Sequence, residues 1–569
     1  MVTHADSRRS RLSRQKAALL DVLLAERREA EAPSGEVERT LCAIWTEAFG
    51  RTVGPLDDFF LLGGDSILSL RLAASAHARG LSLRGAQIFA HPTIRALAPH
   101  VGRTPPAGLG VGCAPRDARQ LDLPLTPMQH GMLYQMEISG RSDVYVSQFV
   151  CTFPPDLDVD RMNAAWVAVA QRRAALRAAL RYGEDGRPLM RIIATADLRP
   201  DVHDWTAWAP SDAARGLDTY IEAEIARGFD LSRAPLMRLA FVRYPDGAWR
   251  CVWTHHHLVL DGWSQLVLLE DVFEAYRTGA FNAAEDSASI EAFVHTQPVA
   301  LTPEAASYWR DRFANAAACT FSRAEEPSAG TEIAAGALGF AVSEGLAHAA
   351  AAAGTSLAAV LEVAWAVVAA GLFRRADPVF GLVAAVRPPA PCIERLVWLC
   401  INTVPICVPL RPGRNLAGVL AEGVDAHRAL QERLADPLPG VLNVCPQASY
   451  GSLLVLENFH QGAAAAGHAL DSAIAPRDVR FRVREHHPLV CAISGPAENL
   501  DIEIKIDRSW RVPYSAKDIL ERLKLAAARL IEAPMMQVLD HAAAVAEERE
   551  AQVRAENWQR LGPERTGHD

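Results

Sequence analysis

The spacing of apolar residues divides the chain into a helical first part and a mixed second part. Up to residue 102, apolar side chains recur with the period of an amphipathic helix. This pattern predicts a charged linker helix within 1–35 and then a small all-α bundle over 36–102. The helices predicted for the bundle are Val37–Phe49, Ile67–Arg79, Leu83–Phe89 and Thr93–His100.

A Pro- and Gly-rich run over 103–120 predicts a linker, and beyond it helices and strands alternate, which predicts an α/β unit. We expect two lobes, over 121–300 and 301–545, and a helical linker over 546–569. A β-hairpin is predicted from Leu236–Tyr244 and Trp249–His257. The other predicted helices are Asp160–Arg181, Leu217–Ala226, Ser264–Tyr276, Leu301–Ala314, a pair over Ser343–Phe373, Ser515–Glu532 and Ala542–Gln559, and the other strands are Val379–Val386, Thr403–Val408 and Ser452–Leu456.

Composition and charge exclude several classes of protein. The chain has 569 residues and a formal charge of −9, and it lacks a basic stripe with interleaved aromatic residues, so we expect no nucleic-acid partner. Its ten cysteines occur singly and without metal-ligand spacing, which indicates reduced core cysteines and no metal site. No apolar run reaches the ~20 residues that span a bilayer, and no signal peptide is evident. We therefore expect a cytoplasmic protein with no membrane partner.

Three consecutive histidines carry the strongest chemical signal of the sequence. His255, His256 and His257 end a predicted buried strand and are followed by Asp261 and Gly262. Histidine is the usual proton carrier in catalysis because its ordinary pKa lies near neutrality. Since side chains alternate along a strand, His255 and His257 are expected on one face and His256 on the other. A core or surface role is more common for a lone histidine, but three together favour catalysis.

A second signal is Gly63-Gly64-Asp65-Ser66, which stands where a loop meets a predicted helix. Taken alone, this is a helix N-cap. Together with Asp58-Phe59-Phe60 and the predicted bundle, it resembles the peptidyl carrier domain of nonribosomal peptide synthetases. The resemblance implies that Ser66 carries a 4′-phosphopantetheine arm, added by a phosphopantetheinyl transferase.

The histidine run in turn resembles the HHxxxDG motif of synthetase condensation domains, which implies an α/β chloramphenicol-acetyltransferase-like fold of two lobes. Further family segments are matched, in order, by Leu125–Gly131, Arg172–Arg177, Ile393–Pro405, Leu456–Phe459 and His487–Leu489. The resemblance implies catalytic roles for His256 and His257, with His257 at the middle of a tunnel that admits a donor and an acceptor carrier arm. Asp261 is structural in the family, and we pair it with Arg387 because a buried carboxylate needs a partner. Gly262 is expected to let the backbone approach closely.

Other interpretations of the motif are less well matched. Cyclisation domains have a double-Asp version that is absent here. Epimerisation domains usually follow the motif with a different segment from Asp261-Gly262-Trp263-Ser264-Gln265. An inactive scaffold is disfavoured because Ser66, His256, His257 and Asp261 are all present.

The extra histidine, His255, resembles the β-lactam-forming condensation domain of nocardicin biosynthesis. That resemblance implies dehydration of a seryl donor, addition of the acceptor amine to the dehydroalanyl thioester, and ring closure. Elimination needs a second base, which His255 would supply. Arg173, Trp398 and Cys400 also depart from the usual family residues. An ordinary amide-forming enzyme with a tolerated variation at 255 remains the alternative.

The resemblance also implies partners outside this chain. They are upstream synthetase domains, a downstream acceptor carrier domain and an adenylation domain, and the substrates are peptidyl and aminoacyl thioesters. Residues from Glu547 to Trp558 resemble the linker that precedes an adenylation domain. The sequence thus predicts a carrier–condensation didomain of a peptide assembly line used in antibiotic biosynthesis.

Overall fold

The computed structural model describes two stretches of the chain. They are residues 33–103, without 60–61, 63–67, 70–71, 74, 77–78, 84–86 and 89–90, and residues 121–561, without 283–285, 326–329, 388–394, 458–474, 485, 498 and 534–535. The predicted N-terminal helix and the predicted linker over 103–120 lie almost wholly outside these residues. The chain forms two compact units, which correspond largely to these two stretches.

The first unit is built around helix α1, Glu36–Phe49, which confirms the first helix predicted for the bundle. Its apolar face buries Leu41, Ile44 and Trp45, and the Trp45 ring meets Phe59 edge-on with centroids 5.5 Å apart. Gly50 ends the helix at φ 64°, a left-handed conformation that glycine adopts without steric cost. A short helix α2, Ile94–Leu97, continues into a 3₁₀ turn, Ala98–His100, and the strands β1, Leu81–Ser82, and β2, Gly102–Arg103, pair antiparallel.

Half of the residues in the predicted helices over 67–79 and 83–89 are not described. The four-helix bundle therefore stays a prediction. The described residues Leu72, Ala73, Ala76 and Ile88 are fully buried in the same apolar cluster as Trp45, as helices packed on α1 require.

The described residues of the second unit form two large sheets and a small one. The first sheet has the strand order β14-β4-β9-β8-β7, the second β10-β16-β15-β13-β11-β12, and the third β3-β6-β5. The strands are β3 Leu121–Pro124, β4 Val146–Phe153, β5 Ala178–Tyr182, β6 Pro188–Ile192, β7 Asp201–Asp204, β8 Met237–Arg243, β9 Trp249–His256, β10 Thr331–Ala337, β11 Val379–Ala385, β12 Ile401–Cys407, β13 Ser452–Glu457, β14 Arg477–Val483, β15 Leu489–Ser494 and β16 Asp501–Asp507.

Helices cover these sheets. In chain order they are α3 Pro127–Ser139, α4 Val159–Arg172, α5 Pro210–Arg227, α6 Gly262–Thr278, α7 Ser287–Thr296, α8 Pro303–Arg312, α9 Phe340–Ala352, α10 Leu357–Phe373, α11 Leu416–Gln431, α12 Leu438–Val444, α13 Ala516–Glu532 and α14 Val538–Leu561. The predicted hairpin is confirmed as β8–β9, and the predicted Ala-rich pair is confirmed as α9 and α10.

One predicted element is wrong in its second half. The helix predicted over Asp160–Arg181 ends at Arg172, and a 3₁₀ turn leads into strand β5. The helix propensity of residues 174–181 is outweighed by the pairing of β5 with β6 and by the burial of Arg173. Tertiary contacts commonly override intrinsic helix propensity in this way.

A strand from the second lobe crosses into the first. Strand β14 lies beyond residue 301 in sequence but pairs antiparallel with β4 of the first sheet. The sequence pattern did not predict this crossing. It ties the second lobe directly to the strand next to the histidines, because β4 also pairs with β9.

Within the described residues, no single helix is long and apolar enough to cross a membrane. Helices α9 and α10 are together long and apolar enough, but the chain bends by 114° between them. Helix α10 is buried along most of its length in the core of the second lobe, so its apolar character is explained by packing.

Candidate active site

The three histidines lie at the end of β9, but they occupy different environments. Ser147 of β4 stands opposite His255, and Val146 stands opposite His256. The strand ends at His256, one residue earlier than predicted, so strand alternation does not extend to His257. The backbone N–H of His257 instead donates to the carbonyl of Tyr145 at 2.8 Å.

His257 is the one partly exposed histidine of the three. Its Nδ1 lies 2.5 Å from the carbonyl oxygen of Leu260. Because a carbonyl oxygen can only accept, Nδ1 carries the proton and the neutral ring has a lone pair on Nε2. A histidine held in this tautomer can accept a proton or a hydrogen bond at Nε2, as a general base requires.

His256 is fully buried, and its Nδ1 accepts a hydrogen bond from the backbone N–H of Leu258 at 3.1 Å. Burial, with a smaller contribution from His257, lowers the pKa of His256 to about 3. The ring is therefore neutral at physiological pH. The hydrogen bond from the Leu258 N–H to the His256 ring stabilises the turn that contains His257.

His255 is also fully buried, packed against Trp253 with ring centroids 4.8 Å apart. The amide nitrogen of Gln265, on α6, lies 3.1 Å from Nε2 of His255. Burial, and then the neighbouring histidines, hold the pKa of His255 well below its usual range. Donation by Gln265 places the imidazole proton on Nδ1, which has no hydrogen-bond partner among the described residues.

Asp261 and Arg387, which were predicted to pair, lie together in the structure. Nη2 of Arg387 lies 3.0 Å from each carboxylate oxygen of Asp261, and both side chains are 1% exposed. Asp261 also caps α6 by accepting from the Ser264 backbone N–H at 2.7 Å, and it accepts from the Cys400 N–H at 2.9 Å. This carboxylate thus joins the start of α6 to the second lobe. Gly262 is the first residue of that helix.

Two residues that support the histidine loop were not singled out from the sequence. Gln129 donates from its side-chain amide to the Leu258 carbonyl at 2.9 Å and is fully buried. It also forms a capping box with Thr126 at the start of α3. The Thr-x-x-Gln pattern is a known sequence signature of a helix start and was available as a signal. Gln265 carries no such local signal, because its partner lies on another element.

Arg173, where the family usually has histidine, is a buried structural cation. Its guanidinium lies 2.6 Å from Asp271 and 3.0 Å from Asp286. Arg395 of the second lobe also pairs with Asp271. Burial raises the pKa of Asp271 despite these arginines. The network therefore holds the end of α4, α6 and the second lobe together.

Trp398 and Cys400, the other departures from the family pattern, are fully buried. The backbone of Trp398 bonds to the Ser264 hydroxyl, with N–H to Oγ at 3.0 Å. Burial raises the pKa of the Cys400 thiol, so the thiol stays protonated. Both residues contact the Asp261 region through their backbones.

Ser66 and the preceding Gly63-Gly64-Asp65 lie outside the described residues. Within the described part of the chain, no group of three or more His, Cys, Asp or Glu side chains could hold a metal ion.

Two sequence families match the chain. Residues 119–488, more than half of its length, match the Condensation domain family, and residues 39–101 match the Phosphopantetheine attachment site family. The second match indicates a covalently attached 4′-phosphopantetheine in that region. Ser66, within it, is the predicted attachment residue, and its hydroxyl is the group needed for a phosphodiester link.

Curated relatives are much longer synthetases. One component of the linear gramicidin synthase of Brevibacillus parabrevis is 28% identical over 323 residues, which are 54% of this chain and 4% of the relative. AMB antimetabolite synthetase AmbE of Pseudomonas aeruginosa is 28% identical over 506 residues, which are 82% of this chain and 24% of the relative. The chain thus spans a quarter or less of the length of these two relatives.

Solved structures resemble the second unit. The starter condensation domain of rhizomide synthetase aligns with a TM-score of 0.61 and 17% identity, covering 73% of this chain and 96% of that one. The first condensation domain of the calcium-dependent antibiotic synthetase aligns with a TM-score of 0.58 and 17% identity, covering 74% and 98%. These similarities confirm the condensation-domain fold predicted for the α/β part.

Proposed function

The chain belongs to the condensation domain family, and on that premise we propose that it forms an amide bond within a nonribosomal peptide synthetase. The donor is a peptidyl thioester, and the acceptor is the amine of an aminoacyl group on a downstream carrier domain. An adenylation domain outside this chain selects the acceptor amino acid. Upstream synthetase domains deliver the growing peptide.

The observation that carries this proposal is the tautomer of His257. The acceptor amine attacks the thioester carbonyl, the C–N bond forms, and the C–S bond breaks. The amine must lose a proton and the departing thiolate must gain one. Nε2 of His257 accepts the amine proton, because Leu260 holds the other ring nitrogen as a donor.

The remaining residues act on His257 and its loop. Asp261 and Arg387 hold the start of α6 against the second lobe, and Gln129 holds the Leu258 carbonyl. His256 closes the turn through the Leu258 N–H. These buried contacts restrict the loop, so that Nε2 of His257 keeps one direction relative to the reacting groups.

The phosphopantetheine arm supplies a thiol that holds the acyl group as a reactive thioester. Ser66 is the residue that would carry it, after modification by a phosphopantetheinyl transferase. We propose that this carrier presents the donor.

The test is a reconstituted condensation. The carrier is loaded at Ser66 with a peptidyl-phosphopantetheine, a separate aminoacyl carrier is added, and the peptide product is measured by mass spectrometry. Replacing His257 with Ala is expected to lower the rate by about 10²- to 10⁴-fold. His295→Ala, at an exposed histidine of α7, serves as the matched control. A folded His257→Ala protein that works at the wild-type rate overturns the proposal.

A second candidate is β-lactam formation from a seryl donor, favoured by the extra histidine. A base removes the α-proton of the seryl thioester, and the hydroxyl leaves Cβ as water. The acceptor amine adds to Cβ while Cα regains a proton. The resulting secondary amine attacks the thioester, which closes the ring and releases the thiol.

This candidate rests on the extra histidine itself, whose Nδ1 has no hydrogen-bond partner among the described residues but carries the imidazole proton while Gln265 donates to Nε2. For that nitrogen to accept a proton, Gln265 must turn its carbonyl oxygen toward Nε2, so that the imidazole proton moves there. The same reconstitution with a seryl-terminated donor separates the candidates, since a β-lactam product is lighter than the amide by one water. Loss of only the lighter product in His255→Ala supports the second base. An unchanged product and rate in that variant removes the candidate.

A further inference from the structure

We propose that Tyr145 is a positioning residue that couples the catalytic His257 to the crossing strand of the second lobe. The inference rests on the proposed function for its rate measurement, but the contacts that carry it are independent of that function. Tyr145 stands immediately before β4 and is buried.

The backbone of Tyr145 bonds to the residues that follow β14 and β9, the two strands on either side of β4. Its carbonyl accepts from the His257 N–H at 2.8 Å, and its own N–H donates to the Arg484 carbonyl at 2.7 Å. The Arg484 N–H returns a hydrogen bond to the Val146 carbonyl at 3.1 Å. The residue after β14 and the residue after β9 are therefore bonded to the same peptide segment.

The side chain of Tyr145 adds a third contact to the second lobe. Its hydroxyl lies 2.6 Å from Nδ1 of His486, and the two rings are 5.2 Å apart. Burial lowers the pKa of His486 to about 4, with Asp507 opposing this effect. The imidazole is therefore neutral near pH 7, and Nδ1 can accept the phenol hydrogen.

His486 is itself braced by aromatic groups of the second lobe. Its ring lies 3.9 Å from that of His487, which in turn lies 6.0 Å from the ring of Tyr450. The phenol of Tyr145 thus ends a row of rings that begins at Tyr450, two residues before β13 of the second lobe. A shift of this row changes the position of Tyr145.

The backbone conformation of Tyr145 indicates that these contacts act together. Its φ is 63°, in the left-handed region that residues other than glycine seldom adopt. Such a conformation persists only when its surroundings over-determine it, and these cases cluster at functional sites. Here the surroundings are Arg484 and His486 on one side and His257 on the other. The unfavourable conformation directs the Tyr145 carbonyl at the His257 N–H. This contact fixes the position of the His257 backbone.

The first experiment compares Tyr145→Phe, which removes only the hydroxyl, with Arg482→Gln. Arg482 on β14 forms a different contact with the first lobe, an exposed ion pair with Glu222 at 2.8 Å. We expect Tyr145→Phe to lower kcat by about 10- to 100-fold with little change in KM, because a small misplacement of a reacting group is costly. Arg482→Gln is expected to leave both unchanged.

The second experiment reads the position of His257 without activity. The protein is labelled with ¹³C-histidine, and the His257 signal is identified by its loss in His257→Ala. Tyr145→Phe is expected to change the chemical shift of this signal, whereas Arg482→Gln is not. His486→Gln should reproduce the effect, and the double variant should add little to it. If Tyr145→Phe is poorly folded, His486→Gln alone decides.

An unchanged His257 signal in both folded variants overturns the positioning role, whatever the rate. A wild-type protein that makes no peptide, together with a shifted His257 signal in Tyr145→Phe, overturns the proposed function and leaves the positioning role standing. The two failures are therefore distinguishable.

Discussion

Arg387 donates to both carboxylate oxygens of Asp261 at 3.0 Å, although 126 positions separate the two residues in sequence. Each side chain is 1% exposed. The pair fastens the residue that caps α6, just after the histidine loop, to the second lobe. The pair is structural, since both side chains are buried and bound to each other.

Breaking this pair is expected to destabilise the second unit strongly. Arg387→Ala leaves Asp261 as a buried, unbalanced charge, and we expect a loss of about 3–5 kcal/mol in the free energy of unfolding. Urea denaturation followed by tryptophan fluorescence measures this loss. Arg199→Ala removes the exposed partner of Asp197 and should leave the urea midpoint unchanged. Equal midpoints for Arg387→Ala and wild type would contradict the assignment.

Arg173 is expected to behave in the same way. Arg173→Leu leaves Asp271 and Asp286 without their shared cation, and we expect a loss of roughly 3 kcal/mol or more. Arg172→Leu, at the exposed neighbouring position, is the matched control. A lower melting temperature is expected only for Arg173→Leu. Equal melting temperatures for the two variants would contradict the structural role of Arg173.

The buried histidines predict acid destabilisation. The pKa of His256 is about 3 in the folded protein and near 6.5 when exposed, so the unfolded chain binds more protons below pH 6.5. The contribution of neutral His256 to stability is therefore fully present above pH 6.5, and it is lost progressively as the pH falls toward 3. Between pH 6.5 and 5 this histidine alone is expected to cost about 2 kcal/mol.

His256→Gln should reduce the slope of unfolding free energy against pH in that window. The control His295→Gln, at an exposed position, should keep the wild-type slope. Urea unfolding at closely spaced pH values gives both slopes, and identical slopes in all proteins would argue against a buried neutral His256.

Glu362 predicts an effect of the opposite sign. This carboxyl lies in the apolar helix α10, and burial raises its pKa to about 7 from an ordinary value of 4.5. The folded state holds the proton more tightly, so stability falls as the pH rises from 4.5 through 7. Glu362→Gln should stabilise the protein at pH 8.5 by roughly 3 kcal/mol and have little effect at pH 4.5.

Thermal unfolding of Glu362→Gln and wild type at pH 4.5 and pH 8.5 measures this difference. Glu344→Gln, on the exposed face of α9, is the control and should not change the pH dependence. A Glu362→Gln protein with no gain at the higher pH would mean that the carboxyl finds a partner when ionised.

The carrier assignment predicts one modification. Incubation with coenzyme A and a phosphopantetheinyl transferase should add one phosphopantetheine to the intact chain, detected by mass spectrometry. Ser66→Ala should abolish the addition, and Ser75→Ala, at an exposed serine nearby, should retain it. Modification of Ser66→Ala would move the attachment site elsewhere.

Much of the fold could be predicted because its signals are local. The β8–β9 hairpin follows from a Pro-Asp-Gly turn between two apolar runs, and α9–α10 from a long Ala-rich stretch. The helix predicted through Arg181 was wrong because its end is decided by β6, a partner that helical periodicity does not encode.

The site shows the same division. The sequence alone determined the histidine run, Asp261 with Arg387 as its proposed partner, and Ser66 as the proposed attachment residue, since these depend on residue type and spacing. Tertiary structure decided that His255 meets Gln265 in the core, that Leu260 orients the ring of His257, and that β14 crosses between lobes to reach Tyr145. Burial and hydrogen-bond direction arise from elements distant in the chain. The local sequence pattern therefore does not predict burial or hydrogen-bond direction. These two properties make the three adjacent histidines chemically different.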